Sequence, residues 1–147
     1  MRVSAMKIYD AENQILGRFC SVVAKKLLGG ESIVVVNAEK AVVAGRPKYT
    51  FEKYAHKYER GDALHGPFFP KQPERILRRT VRGMIPWDRT RGRLAYKRLH
   101  VYVGVPEEMK DKEKSFEKVE AADANRLNTK FVTLGQVAFF MGAKKKW

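Results

Sequence analysis

Residues 32–37 read SIVVVN. Four consecutive apolar side chains, three of them valine, leave no polar face for solvent. A strand with one wet face alternates; a strand covered on both faces does not, and such runs belong to parallel sheets. Upstream, MKIY at 6–9 predicts a short strand, ended by the turn-rich DAEN at 10–13. Between the two, Leu16, Phe19, Cys20, Val23 and Leu27 recur at helical spacing, and Arg18, Ser21 and Lys25 fall on the other face. A helix is expected over about 16–28, stopped by Gly29-Gly30. Strand, helix and strand over about thirty residues form a βαβ unit with a right-handed crossover. The fold class is therefore α/β.

Outward from this unit, AVVA at 41–44 is a second buried piece of the core, strand or short helix. In RPKYTFEKYAHKY at 46–58, Phe51, Tyr54, Ala55 and Tyr58 make a helical stripe, with Lys48, Lys53 and Lys57 off it. Core packing is the favoured reading of the aromatics and RNA contact that of the three lysines. GDALHGPFFP at 61–70 predicts an ordered loop pinned by Phe68 and Phe69 to protein or RNA. Pro73 and Pro86 bracket a helix expected over about 73–85. On it Ile76, Leu77, Val81, Met84 and Ile85 share one side, with Arg75, Arg78, Arg79 and Arg82 almost opposite. Asp88 is the expected N-cap of a helix over about 89–99. Gly92 either lets the backbone approach RNA or another helix, or marks a frayed first turn. LHVYV at 99–103 alternates as a strand. Residues 107–123 mix seven acids with four lysines and read as an exposed extension, irregular or partly helical. Thr133-Leu-Gly-Gln136 fits a capping box for a last helix over about 134–141, with Gly142 as its C-cap residue. Lys144, Lys145, Lys146 and Trp147 form a basic tip, either solvated or in contact with RNA.

Charge is the second organising feature. The 147 residues carry a net +14 at a pI near 10.0. Residues 71–103 hold ten cations and two acids, so +8 of that excess sits in one stretch. An apolar share of 44% is too high for a disordered basic tail. A folded, single domain with clustered arginine is the footprint of a nucleic-acid binder. A solvated face normally mixes signs, whereas four arginines on one helix face repel one another until an anion neutralises them. No apolar run approaches a spanning helix, so no membrane partner is expected. Residues 1–10 do not read as a signal peptide. A lone cysteine permits no intrachain disulfide and suits a reducing cytoplasm.

Catalytic and metal motifs are missing from the pattern. There is no phosphate-binding glycine loop and no nucleophile elbow. Cys20 and the scattered His56, His65 and His100 have no metal-ligand spacing. Asp10, Glu12 and Glu39 could gather at strand ends around magnesium, but nothing in their spacing demands it. No catalytic residue, cofactor, metal or small-molecule substrate is assigned.

NAEKAVVAG at 37–45, RTVRGMIP at 79–86, ILGR at 15–18 and RGRLAYKRLHVYVG at 91–104 resemble the universal large-subunit ribosomal protein family numbered thirteen. HGPFFPKQPERI at 65–76 and TLGQVAFFMG at 133–142 resemble its archaeal and eukaryotic branch. The resemblance covers roughly 6–106. It implies a three-layer α/β/α domain around a small, mostly parallel sheet, with a basic helical extension. The domain would have its core at about 6–106 plus the helix at 134–141, and 107–130 would be a charged extension. It further implies a structural protein of the ribosome in the cytoplasm, not an enzyme. Its partners would be large-subunit ribosomal RNA and neighbouring large-subunit proteins, and its role would include early subunit assembly. The motif-matched Arg79, Arg82, Arg91, Arg93 and Lys97 are RNA-facing by resemblance; Arg75, Arg78, Arg89 and Arg98 join them on charge alone. Replacing Arg78, Arg79 and Arg82 together by alanine is expected to weaken RNA binding with little loss of stability. The alternative is a small α/β enzyme acting on RNA or a nucleotide, with Asp10, Asn37 and Glu39 at the carboxyl ends of the strands.

Overall fold

The computed structural model describes residues 6–145 and Trp147. Strand β1 (Lys7–Asp10), helix α1 (Leu16–Leu28) and strand β2 (Ile33–Val36) form the expected unit. Strand β4 (Leu99–Val101) completes a three-stranded sheet in the order β1-β2-β4, with β2 paired in parallel on both sides. All four residues of β2 are buried, which is why the run carries no polar alternation. Tyr9, Ile33, Val35, Leu99 and Val101 face the main core; Ile8, Val34 and Val36 face a second, smaller one. Successive side chains of a strand point to opposite faces, so the two clusters are the two sides of one sheet.

The main face is covered by α1, which packs on helix α3 (Pro73–Arg82) and helix α4 (Thr90–Lys97). The other face is covered by Met109, Val105 and Phe116. Met109 belongs to a run of 3₁₀ turns over Glu107–Ser115. The layer on this side is therefore a 3₁₀ segment in place of an α-helix. The charged extension is also less detached than its composition suggests. Glu117 pairs with the free edge of β1: Asp10 N donates to Glu117 O at 3.0 Å, and Glu117 N to Ile8 O at 2.9 Å. Further on, Ile15 N donates to Ala122 O and Ala124 N to Asn13 O, and Val119 N donates to the buried Gln14 amide. Ala122 and Ala124 are buried at these crossings. The segment is largely exposed, as a stretch poor in large apolar side chains should be, and backbone hydrogen bonds hold it to a sheet edge.

Residues 41–44 resolve as strand β3 (Val42–Ala44), antiparallel to strand β5 (Phe131–Thr133) in a separate two-stranded pair. β3 is thus not a strand of the parallel sheet, and Ala44 is exposed. Helix α2 (Pro47–Glu59) opens with proline in its first turn and buries Tyr54 and Thr50. Phe51 stacks on Phe140 at 4.8 Å, Tyr58 is exposed, and Lys48, Lys53 and Lys57 lie outward. Helix α5 (Leu134–Phe140) has both capping-box bonds. It ends in Gly142 at φ +87, with Ala143 N on Ala138 O and Gly142 N on Phe139 O, a left-handed termination that favours glycine. Cys20 is fully buried and burial pushes its thiol pKa up, in keeping with a small core residue.

Tyr54 supplies a test of the core. Burial raises its phenol to about 12, whereas an unfolded chain releases the proton near ~10. The folded state thus binds the proton more tightly, and the stability this contributes is present below pH ~10 and lost between ~10 and 12. The loss should approach about 1.4 kcal/mol per pH unit in that window. Urea unfolding of Tyr54→Phe should lack this component, so the gap between the variant and the parent should change with pH. Parallel curves would show that Tyr54 titrates freely.

Candidate nucleic-acid interface

The stretch 71–104 folds as α3, a turn, α4 and β4. Ile76, Leu77, Val81 and Ile85 are buried, as the helical stripe predicts. The helix itself ends at Arg82, three residues before the expected stop, with Gly83 as its C-cap. Met84 consequently leaves the buried side and is 41% exposed. The expected N-cap, Asp88, makes no capping bond; Arg89 occupies the cap position of α4 without a side-chain bond. Gly92 turns to the Pro86 backbone: a Cβ at this position would lie 2.0 Å from the Pro86 carbonyl oxygen. The close approach is therefore to the preceding turn of the same chain. Gly92 and Ala95 form the narrow buried face of α4, and Arg91, Arg93, Leu94 and Lys97 are exposed around it.

The arginines of this stretch fall into three kinds. Arg78 lies over the Tyr96 ring at 4.7 Å and Arg82 over the Trp87 ring at 4.4 Å; these two are half-buried. Arg79 Nη2 donates to Phe68 O at 3.0 Å and so ties the loop 61–70 to α3. Arg93 Nε donates to Trp87 O, Arg91 Nη2 to Leu28 O, and Arg98 Nη2 to Leu27 O at 2.7 Å. Leu27 and Leu28 end α1, where carbonyls lack helical partners and the dipole favours a cation. The third kind is Arg75 and Arg89, joined by Lys97; their exposed side chains have no ion pair, hydrogen bond or ring contact.

One property unites them. The ion pairs among the described residues use Lys7, Lys40, His65 and Lys118. None uses an arginine, and none of the ten cations from Lys71 to Arg98 meets a carboxylate. Carbonyl oxygens and aromatic faces orient these guanidinium groups without cancelling their charge. Ring contacts also alter the expected outcome for Arg78, Arg79 and Arg82: each ring contact is worth about 1 kcal/mol, so their joint replacement would destabilise the fold as well as discharge it.

Arg98 is the clearest structural member of the set. Its replacement by alanine leaves the Leu27 carbonyl without this donor and should cost about 2 kcal/mol. Thermal unfolding checks this; an unchanged midpoint would return Arg98 to the free surface charges.

The remaining candidates lie elsewhere. Lys48 and Lys53 are exposed on α2. Lys57 sits over the rings of Tyr54 and Phe69 at 5.2 and 5.7 Å, and desolvation, with Lys53 beside it, lowers its pKa. Lys144 and Lys145 are exposed, and Lys146 lies outside the described residues. Trp147 is half-buried against the core instead of projecting as a free stacking ring. In the loop, Phe69 packs against Tyr54 at 6.1 Å while Phe68 is 64% exposed. Lys71, over the Tyr58 ring at 4.6 Å, was not a predicted site residue, although its place at the head of the basic run marked it.

At the carboxyl ends of β1 and β2 there is a cleft of about 400 Å³ lined by Asp10, Glu12, Asn37, Lys40 and Glu113 among others. Its polar side chains other than Glu113 are already committed. Asp10 accepts from Asn37 Nδ2 and Glu12 N, both at 2.9 Å, and faces Lys118 at 3.6 Å. Glu39 accepts from Gly104 N and Glu12 pairs with Lys40. These acids join loops at the sheet edge.

Residues 4–108 match the family described as Ribosomal protein L13. The chain is 53% identical over 137 residues to large ribosomal subunit protein uL13 of Archaeoglobus fulgidus, covering 92% of this chain and 86% of the relative. It is 51% identical over 143 residues to the protein of the same name from Methanosarcina barkeri, covering 95% and 99%. A third, from Methanopyrus kandleri, is 46% identical over 136 residues, covering 92% and 86%. By these matches the chain belongs to the ribosomal protein L13 family.

Proposed function

We propose that this chain binds large-subunit ribosomal RNA through the surface of α3 and α4 and supports early assembly of the subunit, within the cytoplasmic ribosome. The family is one of structural ribosomal proteins and not of enzymes, which sets aside the alternative of an RNA- or nucleotide-processing enzyme. The observation that carries the RNA reading is the set of ten cations over residues 71–98, none of them paired with a carboxylate. A cluster of this kind is costly to hold together alone and is neutralised by closely spaced phosphates, with release of their counterions. The half-buried arginines of α3 supply fixed charge, and the exposed residues of α4 supply reach. Neighbouring large-subunit proteins are the other partners the reading implies.

Affinity of the purified chain for large-subunit ribosomal RNA should fall by roughly 10³ between 50 and 200 mM salt, the response of a protein that neutralises about six phosphates. Filter binding across that range measures it. A curve flat in salt would remove the electrostatic mechanism.

A further inference from the structure

We propose that the groove between α2, β5 and α5 is a docking site for an extended apolar segment, flanked by carboxylates, of a neighbouring large-subunit ribosomal protein; this rests on the ribosomal reading above. The groove encloses about 1130 Å³. Its walls carry Phe131, Phe139 and Phe140, which are 46%, 65% and 53% exposed although they lie beside the core. Rings of this size, grouped and left wet, mark an interaction surface.

The backbone favours an extended partner. β5 is the terminal strand of its pair. Gly45 N donates to Lys130 O, and Leu134 N to Ala41 O. These flanking bonds make Val132 and Val43 the hydrogen-bonded pair of the ladder, so the amide and carbonyl of Phe131 point away from β3. An added strand would take up those groups while its alternate side chains enter the groove.

Charge separates protein from RNA as the occupant. Among the described residues the cations lining the groove are Lys40 and Lys145, with no arginine, and Lys40 is held by Glu12 at 3.0 Å. RNA would bring a phosphate with every nucleotide and, among the described lining residues, find only Lys145 without an acid partner. A protein segment needs only one or two acids for Lys145 and the exposed Lys144. The volume is also at the upper end for a small-ligand pocket and holds several side chains.

The test uses the full chain with Phe139 replaced by the photoreactive p-benzoylphenylalanine, assembled into large subunits. Sedimentation first measures entry into the subunit. Exclusion there would remove the ribosomal reading and this inference with it. With entry normal, irradiation should yield a crosslink to one neighbouring protein, at a peptide that alternates apolar residues and carries a carboxylate. Phe139→Glu should reduce retention in salt-washed subunits by about tenfold and leave the free chain's affinity for ribosomal RNA within twofold. A crosslink to RNA, to a second copy of this chain, or to nothing in assembled subunits would overturn the proposal.

Discussion

Replacing Gly92 by alanine is expected to lower the thermal midpoint by about 10 °C, a loss of about 4 kcal/mol. Helix propensity alone predicts the opposite sign, since alanine in a helix is favoured over glycine by about 1 kcal/mol. Space decides the matter. The new Cβ would lie 2.0 Å from the Pro86 oxygen and 2.5 Å from its carbonyl carbon, and these are backbone atoms that no rotamer change can move. The same oxygen accepts from Arg89 N at 3.1 Å, the bond that closes the turn leading into α4. On one side the turn is fixed by Ile85, which is buried, and on the other α4 is fixed by the fully buried Ala95. Relief therefore requires α4 to part from the turn or from the core. Gly17 in α1 is the control, because a Cβ there meets nothing within 4 Å. Gly17→Ala should leave the midpoint unchanged or raise it, by at most about 1 kcal/mol of stability. A Gly92→Ala protein that melts with its parent would mean that the α3–α4 turn is looser than described.

Gly92 also marks where sequence reasoning ran out. The glycine stood out in the pattern, but which partner came close depended on where Pro86 lies in space. The parts read correctly were those governed by local periodicity. β2 followed from its unbroken apolar run, α1 from its stripe, and the last helix from the Thr133–Gln136 box, whose two bonds both form. The segment 107–123 is largely exposed and irregular with 3₁₀ turns, as read, but its attachment to β1 was not legible, because it is made by backbone groups and a backbone hydrogen bond leaves no trace in side-chain composition. Met84 was assigned to the core by extending helical spacing beyond Gly83, where the chain no longer follows it. The cationic character of 71–98 was fully legible. The division of labour within it was not, because Arg98 meets Leu27 across seventy-one positions and Arg78 needs Tyr96 from the next helix.

That division gives the charge test its design. Arg75, Arg89 and Lys97 are exposed, and their side chains are free of carboxylates, carbonyls and rings, so they can be discharged without touching the packing. Their joint replacement by glutamine is expected to weaken binding to large-subunit ribosomal RNA by about 100-fold near physiological salt. The slope of log affinity against log salt should become shallower by about 2 to 3. Each lost phosphate contact removes between ~0.7 and ~0.9 from that slope, and the three contributions multiply in the binding constant. Stability should stay within about 0.5 kcal/mol per site, as for surface positions without partners. Arg78, Arg79 and Arg82 serve as the counter-set: their joint replacement should reduce both binding and melting temperature, since Tyr96, Trp87 and the Phe68 carbonyl lose their cations. Measuring both sets by salt-dependent filter binding and by calorimetry separates charge from scaffold. If the first set leaves the salt slope unchanged, α3 and α4 do not face the phosphates, and the RNA surface must be sought on the lysines of α2 and the C-terminal tip.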